Sequence, residues 1–127
     1  MASATRSGLR LDGRPRAASV GVVAVVATKA LDVLTTLVGL HATQLVEANP
    51  VVLHVVASVG TVPGLLAIGA LTVLAVVAFV EATVYALSLR FDPSPMGVLA
   101  VRVVGYGIPA VFNALVATHN ALLIGMA

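Results

Sequence analysis

Apolar residues run almost unbroken from about Ala18 to Leu40, Pro63 to Arg90 and Met96 to Ile124, with only isolated polar positions inside each run. Each run exceeds the ~18 to 20 residues a helix needs to cross a ~30 Å hydrocarbon layer, so each predicts a transmembrane span. A shorter element lies between the first two. His41, Thr43, Gln44 and Glu47 end the first run, and Asn49-Pro50 opens a new helix. Asn can accept from the first free backbone N–H groups, and Pro is preset for the first helical position. This helix meets the breakers Gly60, Pro63 and Gly64 after about ten residues. At ~1.5 Å per residue it rises only ~15 Å, half a bilayer. The Asp92-Pro93-Ser94-Pro95 turn separates the last two runs.

The pattern predicts an all-α integral membrane helical bundle, with three long transmembrane helices and a short helix that is either re-entrant or a fourth span. Residues 1–17 read as a basic polar N-terminal arm, in which Gly8, Gly13 and Pro15 oppose a helix, and residues 18–127 as one transmembrane domain. Composition agrees: 60% of residues are hydrophobic and 9% charged, far from soluble usage. Of seven cations, Arg6, Arg10, Arg14 and Arg16 precede the first span. No aromatic residue interleaves them as a base-stacking surface would require, so they predict topology and not nucleic acid. A re-entrant short helix puts Arg90 on the same face as the arm, and a crossing one puts it opposite. The positive-inside tendency therefore favours three spans, with the N-terminus on the cytoplasmic side of the cell membrane.

Charges at membrane depth cost ~2.5 to 3.5 kcal/mol each near the centre, so the four that persist, Lys29, Asp32, Glu81 and Arg102, carry the information. Thr28, Lys29, Asp32, Thr35, Thr36 and Gly39 recur at three- and four-residue steps and form one stripe on the first span. Arg102, Tyr106, Asn113 and Asn120 fall within one sector of the last helix, and Glu81, Tyr85 and Ser88 share a face of the helix between. Three polar stripes are thus expected to converge on one axis. By helical rise Glu81 can reach either Arg102 or Lys29, while Lys29 can also pair with Asp32 along its own helix. Such ions either lock the helices in register or line a site or path. His54 and His119 have no second ligand at metal spacing, and cysteine is absent, so neither a metal nor another cofactor is expected.

Asp32-Val33-Leu34-Thr35-Thr36 followed by Glu47-Ala48-Asn49-Pro50 resembles the signature of a family of small archaeal and bacterial membrane proteins of unknown function. The resemblance covers about residues 18 to 125, with Asn113 and Asn120 standing for an Asn-bearing last helix. It implies a compact helical membrane unit with these polar positions at its centre, and no activity.

Two functions follow as expectations. In one, Lys29, Asp32, Thr35, Thr36, Glu47, Asn49, Glu81, Arg102, Tyr106 and Asn113 form a polar core that binds or transports a proton, ion or small polar solute. The α-dipole at Asn49 would stabilise an anion such as Glu47 or Asp32. In the other, the chain is an accessory or scaffold subunit of a larger membrane complex. Partners are the lipid bilayer and a homo-oligomer or complex; Gly60, Gly69, Gly105 and Gly107 offer small surfaces for close helix contact. An enzyme is not expected, because no nucleophile context, His-Glu-x-x-His pair or aspartyl dyad accompanies Asp32 or His54.

Overall fold

The computed structural model describes residues 13–42 and 46–126. Four helices follow in order: α1 (Gly13–Ala42), α2 (Pro50–Val59), α3 (Thr61–Arg90) and α4 (Pro95–Met126). Of these α1, α3 and α4 are long and apolar enough to cross a membrane. α1 starts five residues before the expected Ala18, because Pro15 falls in its first turn, where a missing N–H breaks no helical bond. The same chemistry lets α3 begin at Thr61, with Pro63 in its first turn, and α4 at Pro95 itself. Residues 13–17 of the expected arm therefore belong to α1, and residues 1–12 lie outside the described ones.

Contacts along the helices give their directions. Gly21 lies against Tyr106 and Thr36 against Asn120, so α1 and α4 run parallel. On α3, Gly69 meets Val33 while Val80 packs with Val25, so α3 runs antiparallel to both. α1 therefore ends at the end of the bundle where α3 begins, and the ten-residue α2 does not cross. It folds back on the start of α3 instead. At the corner Gly60 adopts φ 93°, a conformation L side chains rarely take, and its N–H bonds the Val56 carbonyl at 2.8 Å. Four residues on, the backbone of Val56 lies so close that a Cβ at Gly64 would come within 3.2 Å of its Cα.

Two small apolar layers hold the helices. Val25, Val80, Tyr106 and Ala110 form one across α1, α3 and α4. Val33, Val52 and Leu65 form the other across α1, α2 and α3. Glycine admits the large partners: a Cβ on Gly21 would lie 2.8 Å from Tyr106 Cγ, and one on Gly105 would lie 2.6 Å from Val80 Cγ2. Most remaining Val, Leu and Phe side chains face outward, Phe79 at 74% and Leu71 at 69% exposure among them, which is the surface a lipid-solvated bundle presents.

These contacts revise the glycine expectation. Gly69 and Gly105 are engaged inside the bundle and Gly60 forms the corner, so of the four glycines assigned to contacts between copies only Gly107 meets nothing within 4 Å. Gly21→Val is expected to destabilise the detergent-solubilised protein by about 1 to 3 kcal/mol through overpacking against Tyr106. Gly107→Val should change it by less than about 0.5 kcal/mol. Thermal unfolding followed by circular dichroism measures both, and equal midpoints for the two variants contradict the packing.

Candidate functional site

Placing a carboxylate on one helix and a guanidinium on the next, at depths differing by about a turn, lets two buried charges neutralise each other. Glu81 of α3 and Arg102 of α4 meet in this way. Arg102 donates from Nε to Glu81 Oε1 at 3.0 Å and from Nη2 to Oε2 at 2.6 Å, a bidentate fork. Tyr106, one turn along α4, donates its hydroxyl to Oε1 at 2.8 Å. Of the two cations within expected reach, Glu81 takes Arg102.

Lys29 is drawn elsewhere. Its Nζ lies 2.6 Å from Asp32 Oδ2, three residues along α1. Asp32 is buried, whereas Glu81 keeps more than a third of its side-chain surface accessible. The two ion pairs are separate: Val25, Val80 and the Tyr106 ring, each at most 2% exposed, lie between their levels. The expected single polar axis is therefore two polar clusters with a sealed apolar layer between them. Part of the reason lies on α3, whose Glu81, Tyr85 and Ser88 face does not turn inward; Tyr85 is 65% exposed, and Val73, Val76, Val77 and Val80 supply the packing face instead.

The α1 stripe does face the interior, with Asp32 and Gly39 buried and Thr28, Lys29, Thr35 and Thr36 half-buried. Thr28 and Thr35 donate back to carbonyls of their own helix, Ala24 at 2.8 Å and Leu31 at 3.0 Å, so these hydroxyls need no partner from outside. Across the helix gap Asn120 Nδ2 donates to Thr36 Oγ1 at 3.1 Å and reaches Thr35 Oγ1 at 3.5 Å. Asn113 is buried but takes no hydrogen bond among the described residues. The α1–α4 register sets it level with Thr28 and Lys29.

Glu47 and Asn49 form a closed local device. Asn49 Oδ1 accepts from Val51 N at 2.9 Å and Val52 N at 3.4 Å, its carbonyl accepts from Leu53 N at 3.0 Å, and Glu47 Oε1 accepts its N–H at 2.8 Å. Pro50 has no N–H to offer. Every backbone donor at the start of α2 is occupied; of the two anions expected there Glu47 is the one held, and the helix terminus directs no free N–H at Asp32 or at a ligand.

Between the second half of α1, the start of α3, the end of α4 and residues 46–52 lies an open cleft of about 810 Å³. Lys29, Asp32, Thr36, Glu47, His119 and Asn120 supply its polar lining. Glu81, Arg102 and Tyr106 do not border it. The sequence places Asn120 on the right face but gives His119 no role beyond lacking a second metal ligand; its position immediately before Asn120, the last residue of the α4 polar stripe, was the available signal. No known protein family matches the chain, and no curated protein or solved structure matches it.

Glu81→Gln leaves the Arg102 fork facing a neutral amide and is expected to cost about 1 to 3 kcal/mol, the scale of hydrogen bonds to a charged group at a partly buried site. Replacing both residues, as Glu81→Leu with Arg102→Leu, should recover most of that loss. A double-mutant cycle on unfolding in detergent reads the coupling, and a coupling near zero contradicts the pairing.

Proposed function

We propose that the protein is a membrane-embedded binding module whose cleft holds a small polar solute or ion against the Lys29–Asp32 pair. The observation that carries this reading is the difference between the two ion pairs. Glu81 is bonded by both Arg102 and Tyr106 and lies away from the cleft, whereas Lys29 and Asp32 both line it. The first acts as a fastener between α3 and α4, and the second as the chemistry of the site. The cleft volume falls in the ~300 to 1,000 Å³ range of small-molecule sites. Under the proposed topology the chain spans the cell membrane three times. The bundle end bearing exposed Arg16 and Arg90 faces the cytoplasm, by the positive-inside tendency, and the cleft opens toward the opposite half. The resemblance carried by Asp32-x-x-Thr35-Thr36 and Glu47-x-Asn49-Pro50 fits this reading, since all six residues line the cleft.

Transport would require more than binding, because the Val25, Val80 and Tyr106 layer closes the route toward the other end. A solute would cross only if the α2–α3 hairpin shifted on the α1–α4 pair. A second reading, an accessory subunit without intrinsic activity, is favoured by the closed Glu81 contacts and by the broad apolar exterior, which a homo-oligomer or a larger complex could cover.

Thermal unfolding of the detergent-solubilised protein against a panel of monovalent cations and small polar solutes separates the readings. Binding predicts that at least one panel member stabilises the wild type and fails to stabilise Asp32→Asn, while Thr83→Ala, on the far part of α3, responds as the wild type does. No stabilisation by any panel member, together with recovery of a defined hetero-complex in mild detergent, supports the subunit reading instead. Proteoliposome flux of the stabilising solute, compared between wild type and Asp32→Asn, then tests movement; equal, leak-level flux in both rejects transport.

A further inference from the structure

Resting on the binding reading above, we infer that the cleft selects a small zwitterion, a molecule carrying an ammonium and a carboxylate close together and an apolar side group. Hydrogen-bonding capacity is left over around the Lys29–Asp32 pair. The Lys29 ammonium has three N–H donors, and one is engaged with Asp32 Oδ2. Asp32 Oδ1 takes no donor among the described residues, and no sealed side-chain oxygen or nitrogen there lacks a partner, so this oxygen opens onto accessible space. Thr36 accepts from Asn120 and keeps a hydroxyl proton to give, while the Asn120 carbonyl oxygen keeps its accepting capacity. All four residues line the cleft.

Positive donors and a negative acceptor therefore stand side by side, and each ligand class meets them differently. A bare cation at Asp32 Oδ1 is opposed by the Lys29 ammonium, 2.6 Å from the neighbouring oxygen. An anion on Lys29 is opposed by Asp32 and by Glu47 on the cleft wall. A zwitterion answers both: its ammonium takes Asp32 Oδ1 and its carboxylate takes the remaining Lys29 and Thr36 donors, without parting the existing pair. It also brings no net charge into a site on the order of 15 Å from the end of α1, where net charge is most costly. The rest of the wall is apolar, with Leu40, Val52, Leu65, Ile68, Phe112 and Leu123, and suits a hydrocarbon side group. The same chemistry exists in a free amino acid and in an ethanolamine-type lipid headgroup. The depth of Asp32 favours the free solute.

The test is equilibrium binding of L-leucine to the full chain in phosphatidylglycerol nanodiscs, which contain no zwitterionic headgroup. The wild type is expected to bind L-leucine, and to bind its methyl ester, which lacks the anion, and its N-acetyl derivative, which lacks the cation, about ten- to a hundredfold more weakly, the loss of one charge-assisted contact. Lys29→Met and Asp32→Asn should each lose leucine binding; the ligand series needs no variant and decides the matter even where these fail to fold. Competition by added phosphatidylethanolamine makes the headgroup the natural occupant and leaves the zwitterion chemistry standing. Methyl ester or sodium binding as tightly as leucine overturns the zwitterion inference while the binding reading survives. If the wild type binds none of leucine, ester, N-acetyl derivative or sodium, the zwitterion inference falls, and the binding reading falls with it when the wider panel also fails to stabilise the protein.

Discussion

An ionic side chain in hydrocarbon has to find its counter-charge inside the protein, and the arrangement of this bundle follows from where the four intramembrane charges find theirs. Glu81 and Arg102 stand on adjacent antiparallel helices, so their fork fixes the vertical register of α3 against α4. Tyr106 adds a third bond to the same carboxylate, and its ring fills the space left by Gly21 on α1, which carries that register to the third helix. One polar contact and one glycine thus align three helices whose outer surfaces differ little from the surrounding lipid. In such a solvent apolar burial between helices gives little net drive, and close packing with a few polar bonds has to supply the specificity.

Lys29 and Asp32 satisfy the same constraint differently. Their pairing lies within α1 and ties no second helix, so it adds nothing to register. A costly pair that does no work in assembly is free to serve a site, and here it faces a cleft bordered by all three long helices. The apolar layer of Val25, Val80 and Tyr106 separates the two pairs and gives each its own environment. On the proposed reading, fastening and binding fall to different charges, and the two can be altered independently.

Much of this was legible from residue order. Runs of apolar residues located all four helices, and the α1 stripe faced inward as its three- and four-residue steps required. Asn49-Pro50 opened a helix for the reasons its chemistry supplies. Helix starts were displaced because proline in a first turn reads as a breaker in sequence and is harmless in place, as at Pro15 and Pro63. The rotation of α3 was not legible. Its valines lie all around the helix, so periodicity alone ranks the Glu81–Tyr85–Ser88 face no higher than the Val73–Val77–Val80 face that packs. Nor was the role of Gly21, which depends on the ring of a residue far along the chain. Spacing left Glu47 and Asp32 as equal candidates for the anion at the start of α2, and only the fold shows that Glu47 takes the Asn49 N–H.

The most direct test of the account is a magnetic-resonance distance measurement in lipid bilayers between the guanidinium nitrogens of Arg102 and the side-chain carboxyl carbon of Glu81, using selectively labelled arginine and glutamate. The account predicts strong dipolar dephasing at the separation of a two-point salt bridge, abolished when Arg102 is replaced by methionine. Dephasing no greater than in that variant would mean that these charges do not close on each other, and the register of the bundle would then rest on something else.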